Sequence, residues 1–249
     1  MFRTIKWFIY FWYSLIALTP DMKKVKKLNE QGDIVQKDKI VYEKASNWAK
    51  NLVDLSGTRV SVIGEDNIPE DEAVLFVSNH QGNFDIPILL GFIKKPKAFV
   101  AKEELRKFPL LSTWMEYMNC IFLNRSNSRE SIKAVKQGIN NLKQGYSMVI
   151  FPEGTRSRDG ELGEFKPGAL KLATKSKASI VPITINGSKN IMTKGSFIIK
   201  PAEVEVIISK PIEIEEGMDK DTKSLTENIK NIINDNLEHK EKIYDKKFV

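Results

Sequence analysis

Histidine and cysteine are nearly missing from this chain of 249 residues: His80 and His239 are its two imidazoles and Cys120 is its one thiol. A single cysteine excludes an internal disulfide and fits a reducing compartment. It sits in "MNCIFL", which reads as strand, so a buried structural thiol is expected rather than a nucleophile. Two histidines and one cysteine cannot assemble a structural zinc set, and neither a metal nor a cofactor is expected. No serine stands in a G-x-S-x-G setting. A long hydrophobic run is lacking as well. The longest, Trp7 to Leu18, spans twelve residues broken by Ser14, against the about 20 that a spanning helix needs.

Acids are scarce at the front. Residues 1–50 hold ten Lys/Arg against five Asp/Glu, which is +5 of the formal +7. Such a segment suits an anionic partner, either nucleic acid or anionic lipid. What accompanies the charge favours lipid. "WFIYFWY" puts six aromatics into residues 7–13, with Arg3 and Lys6 before them and Lys23, Lys24, Lys26 and Lys27 after. Aromatic rings favour the headgroup boundary, and lysines beside it gain about 1 kcal/mol each from anionic lipid. The segment reads as a monotopic anchor in the interface, with Trp7, Phe8, Phe11 and Trp12 as its membrane residues. An uncleaved signal anchor and a helix docked on the protein's own core are the competing readings. Residues 36–55 place Val41, Ala45, Trp48, Ala49 and Leu52 at helical spacing, giving a two-helix front end over residues 1–57. Nucleic-acid binding fails on placement, since the charge flanks an aromatic run and no recognition motif goes with it.

From Thr58 the pattern changes. "RVSVIG", "AVLFVS", "KAFVA", "CIFL", "SMVIF", "SIVPITI" and "EVEVIIS" are short β-branched runs, most alternating with helical stretches near 85–93, 109–118, 128–144 and 168–177. The expected fold is α/β: a mostly parallel central sheet flanked by helices, with its ligand site at the carboxyl ends of the strands. A closing amphipathic helix over 222–238 completes one domain, 58–238, and a charged tail, 239–249, follows.

His80 falls at a strand end in "SNHQGNFDIP", five residues before Asp85, which suits a helix N-cap. With 32 acids in 249 residues, an acid stands five after a given residue about one time in eight. The pair gains weight from its company. "FPEGTRS" ends another strand and projects Glu153 and Arg156; "GEFKPGA" offers Lys166 and backbone N–H groups before a helix; Arg125 and Lys102 follow two further strands. Four cations at one sheet edge fit an anionic substrate. A histidine oriented by a carboxylate is a general base. Without a protein nucleophile, a substrate hydroxyl is left to attack an activated acyl carbon.

These motifs resemble the 1-acyl-glycerol-3-phosphate acyltransferases of the glycerolipid acyltransferase family. N-H-x-x-x-x-D matches Asn79-His80 through Asp85, and the arginine-ending motif matches Ile121 through Arg125. F-P-E-G-T-R matches residues 151–156 without a substitution, and V-P-I matches residues 181–183. Asn124 departs from the pattern, standing where many members carry an acid. The resemblance covers about residues 58–210. It implies that His80, oriented by Asp85, deprotonates the free hydroxyl of a lysophosphatidic acid. The acyl group would come from an acyl-carrier-protein or coenzyme A thioester, giving phosphatidic acid. Lys102, Arg125, Glu153, Gly154, Thr155, Arg156 and Lys166 would hold the acceptor, with Glu153 positioning Arg125, Arg156 or a substrate hydroxyl. Val181-Pro182-Ile183 would shape the wall of an acyl tunnel. The place of action would be the cytoplasmic face of the cell membrane. Glycerol-3-phosphate or another lysophospholipid as acceptor, an acyl thioesterase, and a non-enzymatic membrane-binding module are the competing functions.

Overall fold

The computed structural model describes residues 1–157, 161–218 and 221–245, with side chains as far as 238. The chain opens with a bent helix, α1 (Phe2–Ala17) and α2 (Thr19–Glu30). Pro20 lies in the first turn of α2, where its missing N–H interrupts the helical ladder next to Leu18. The next helix, α3 (Ile34–Ser56), is capped by Asp33, whose side chain accepts the Gln36 N–H at 3.2 Å, and stops at Gly57. The two-helix front end is therefore a bent helix laid against a straight one.

The body follows as β1 (Arg59–Ile63), β2 (Val74–Ser78), α4 (Asp85–Phe92), β3 (Ala98–Lys102), α5 (Pro109–Tyr117) and β4 (Ile121–Leu123). Then come α6 (Ser128–Lys143), β5 (Met148–Ile150), α7 (Lys171–Ser176), β6 (Ser179–Asn186), β7 (Glu203–Ile208) and α8 (Thr222–Asp245). The seven strands form one sheet in the order β1-β7-β6-β2-β5-β3-β4. All neighbours are parallel except β6 and β7, so β1 and β7 run against the other five. The carboxyl ends of β2, β3, β4, β5 and β6 consequently share one edge. β2 is buried at all five positions, as a central parallel strand covered on both faces must be.

The core takes in both parts of the chain. Trp7 from α1 and Ala45, Ala49, Leu52 and Val53 from α3 belong to the same apolar cluster as β2, β5 and β6. A smaller cluster of Val25, Ile40, Val41 and Trp114 ties α2 and α3 to α5. Cys120 is buried as expected just ahead of β4, where Phe99 N–H reaches its Sγ at 3.2 Å and burial pushes the thiol up to about 12. The closing helix runs past the expected limit of 238 to Asp245, while the His239 side chain and residues 246–249 lie outside the described residues.

Two expectations need correction here. Val181, Pro182 and Ile183 are packing residues rather than chemical ones, as expected, but they line no tunnel among the described residues. They are buried in β6, paired with β2 on one side, and none of them lines the cavity described below. Likewise, Trp7 faces no membrane: it is buried, and its indole N–H donates to the Leu52 carbonyl at 2.8 Å. Phe8 and Phe11 are half-buried and turn inward with it. Of the four residues only Trp12 is exposed. Aromatic rings stand on every side of the helix, so their identity did not reveal which side docks. The free side is a stripe of Phe2, Ile5, Ile9, Trp12, Tyr13 and Ile16, all exposed.

Candidate active site

β2 delivers His80 two residues past its end, and the chain turns through Gly82 and Asn83 into α4. Asp85 is not the cap of α4 as expected; it is the first helical residue, and Phe84 holds the cap position with no side-chain bond. Its carboxylate points back into the loop instead. Oδ2 accepts from His80 Nδ1 at 2.7 Å, Gln81 N–H at 2.7 Å and Gly82 N–H at 2.9 Å, while Ser188 Oγ contacts Oδ1. Backbone amides only donate, so the cluster suits a charged carboxylate. That carboxylate draws the imidazole proton to Nδ1 and leaves a lone pair on Nε2. Phe151 stacks on the ring with centroids 4.1 Å apart, fixing its plane.

Glu153, expected to position an arginine or a substrate hydroxyl, touches the main chain instead. Its carboxylate accepts the His80 N–H at 2.7 Å and the Gly163 N–H at 3.0 Å. Burial pushes its acidity towards higher pH, and the two N–H bonds pull the other way. It therefore staples the end of β5 to the His80 loop and to the strand of chain leading to Lys166.

Two of the four cations, Arg125 and Lys166, meet at one turn, and all four line one cavity. Gly154 occupies the left-handed region (φ 72°) and turns the chain so that its carbonyl meets Arg125 Nη1. A Cβ there would lie 3.2 Å from Arg125 Nη1 and 3.4 Å from Lys166 Nζ, so two cationic heads cover one glycine. Arg156 Nη1 donates to Asn83 Oδ1 at 2.8 Å. Among the described residues, none of Lys102, Arg125, Arg156 and Lys166 forms a salt bridge to a carboxylate. Like charges gathered without counterions form a site for an anion. Thr155 lines the same opening.

His80, Asn83, Phe151, Gly154, Thr155 and the four cations border one cavity of about 1000 Å³, while Asp85, Glu153 and Ser188 lie behind its wall. Its polar end holds His80, Lys102, Arg125, Thr155, Arg156 and Lys166; its apolar end is walled by α1, α3 and α5 through residues such as Phe11, Trp48 and Trp114. The arrangement couples a proton acceptor, an anion cradle and a long apolar chamber. Sequence reasoning missed Ser188, Asn83 and the cavity-lining Lys194. A serine after a strand has no signature of its own. Asn83, by contrast, lay within the His–Asp motif and could have been weighed.

Comparisons with known proteins identify the family. The Acyltransferase family model matches residues 59–186. The chain is 40% identical over 156 residues to a chloroplastic 1-acyl-sn-glycerol-3-phosphate acyltransferase of Arabidopsis thaliana, covering 62% of this chain and 44% of that one. It therefore spans less than half the length of that relative. With the 1-acyl-sn-glycerol-3-phosphate acyltransferase of Borreliella burgdorferi it is 30% identical over 184 residues, covering 74% of each. The crystal structure of the 1-acyl-sn-glycerophosphate (LPA) acyltransferase PlsC from Thermotoga maritima is similar over 91% of this chain and 95% of that one, with a TM-score of 0.75 and 28% identity. The chain belongs to the Acyltransferase family, and the relatives it is similar to are named 1-acyl-sn-glycerol-3-phosphate acyltransferases.

Proposed function

We propose that this protein transfers an acyl group from an acyl-carrier-protein or coenzyme A thioester to the sn-2 hydroxyl of 1-acyl-glycerol-3-phosphate, forming phosphatidic acid. The observation that carries this reading is the His80–Asp85 pair beside a cavity that gathers four cations, none ion-paired among the described residues, together with an apolar wall. His80 Nε2 accepts the hydroxyl proton as the oxygen attacks the thioester carbonyl carbon. The tetrahedral intermediate then collapses, the C–S bond breaks, and the imidazolium returns the proton to the departing thiolate. Asp85 holds the tautomer and balances the imidazolium. Arg125, Arg156 and Lys166, with Lys102, hold the acceptor's phosphate, and Gly154 and Thr155 shape the turn beneath it. Glu153 acts by holding the His80 loop.

Residues 1–57 serve as the membrane-associating segment of the acyltransferase body, 58–238, with residues 239–249 a charged extension. No helix among the described residues is long and apolar enough to cross a membrane. The exposed stripe from Phe2 to Ile16 supports peripheral or monotopic attachment to a bilayer, the cationic excess of residues 1–50 suits an anionic surface, and the cytoplasmic face is the side we assign.

The test is transfer of labelled acyl groups from both thioesters to lysophosphatidic acid in anionic vesicles, with glycerol-3-phosphate as a second acceptor. Phosphatidic acid formed by the wild type and not by His80→Ala is expected. Label released as free fatty acid without an acceptor would identify a thioesterase instead.

A further inference from the structure

We propose that Ser188 is a positioning residue for the His80–Asp85 pair, acting through the far oxygen of Asp85. The proposal rests on the general-base role given to His80 above. Asp85 is fully buried. Its Oδ2 takes three donors from the loop of residues 80–82, whereas its Oδ1 is met by the hydroxyl of Ser188, 103 residues away in sequence and 1% exposed. A buried carboxylate oxygen without a donor is costly, so the hydroxyl is matched to a need that local sequence leaves open.

The turn carrying Ser188 is fastened to the His80 loop at several points. Asn79 donates to the Ile185 carbonyl at 2.9 Å and accepts the Ile185 N–H at 2.8 Å. Gln81 Oε1 accepts the Gly187 N–H at 3.0 Å. A Cβ on Gly82 would come within 3.2 Å of the Ser188 carbonyl oxygen, so the two loops pack backbone to backbone. Gly187, at φ 98°, makes the turn possible: any side chain there would collide with the Glu203 carbonyl oxygen. β6 thus supplies a clamp that grips residues 79–82 and presents one hydroxyl to Asp85. The buried Val-Pro-Ile run anchors the strand from which that clamp extends.

The clamp sets the charge balance of the pair as well as its geometry. Donation from Ser188 spreads the negative charge of Asp85. Without it, the carboxylate grips the His80 proton more tightly and the imidazolium persists to higher pH. The other charged groups facing the pair, Glu153 against the His80 backbone and the cavity cations Lys102, Arg125, Arg156, Lys166 and Lys194, are left in place by the substitution.

The experiment compares Ser188→Ala and Ser188→Thr in the full chain by two readouts. The first is the pH profile of acyl transfer. Ser188→Ala is expected to lower kcat on the order of tenfold, to leave the acceptor KM unchanged, and to move the acid limb to higher pH by about one unit. Ser188→Thr, which keeps the hydroxyl, is expected to retain the wild-type limb. The second is nitrogen NMR of His80 in a His239→Gln background, which leaves one imidazole and needs no activity. Its titration is expected to move upward in Ser188→Ala alone. An unchanged His80 titration and acid limb in a folded Ser188→Ala protein would overturn the proposal. Equal impairment in a folded Ser188→Thr protein would do the same. An active His80→Ala enzyme would overturn the general-base reading instead, while the NMR result would still decide whether Ser188 tunes the pair.

Discussion

His80 and Glu153 are joined by a bond between the main chain of one and the side chain of the other: the His80 N–H donates to Glu153 Oε1 at 2.7 Å. Through it the loop after β2 and the loop after β5 become one unit, strengthened by the Ser157 N–H donating to the His80 carbonyl at 2.8 Å. The imidazole and the cation-bearing turn therefore keep a fixed spacing, which under the proposed function would position the acceptor's hydroxyl relative to its phosphate.

Removing the base should stop the chemistry without dislodging the protein. His80→Ala is expected to lower kcat by about 10²–10⁴-fold, with vesicle binding and melting temperature near those of the wild type. Asp85→Asn, which cannot balance the imidazolium, is expected to lose activity on a similar scale. Acyl-transfer kinetics beside vesicle sedimentation and calorimetry check both.

The cations should act on the acceptor. Arg125→Ala or Lys166→Ala is expected to raise KM for lysophosphatidic acid about tenfold, with a much smaller change in kcat. An acceptor titration at fixed donor concentration, repeated at higher salt, measures it.

The two sides of α1 should separate by substitution. Ile9→Glu with Ile16→Glu, on the exposed stripe, is expected to weaken binding to anionic vesicles by tenfold or more, about the value of burying one or two such side chains, with no loss of melting temperature. Trp7→Ala is expected to destabilise the fold by about 3–5 kcal/mol, because it empties a core position and frees the Leu52 carbonyl.

Lys97 makes the fold sensitive to pH. It is buried, its Nζ donates to the Ile93 carbonyl at 2.8 Å, and burial pushes its acidity from 10.5 down to about 7. The unfolded chain therefore binds more protons than the folded one between about pH 7 and 10.5, so this group's contribution to stability rises with pH across that window. Below it, the full penalty of a buried charge remains. Lys97→Met is expected to raise stability most at and below pH 7 and to flatten its rise with pH, as denaturant melts at several pH values would read.

Much of the site was legible because its chemistry is local. His80 to Asp85 and Phe151 to Arg156 are contiguous stretches at strand ends, where an open α/β sheet collects its functional groups. Glu153 was found but misassigned: its residue type suggested an arginine or a substrate hydroxyl as partner, whereas its contacts are two main-chain amides. Trp7 was misassigned for a related reason. With aromatic rings on every side of α1, residue type alone marks no docking face, and packing against α3 selects one.

By itself the sequence determined the strand–helix alternation, the motifs at strand ends and the excess of cations, since each depends on residue type and short spacing. Only the tertiary structure decided which strands reverse, which face of α1 stays free, and that Ser188 meets Asp85 from 103 positions away. Those relationships are set by packing between distant segments, and residue spacing carries no record of it.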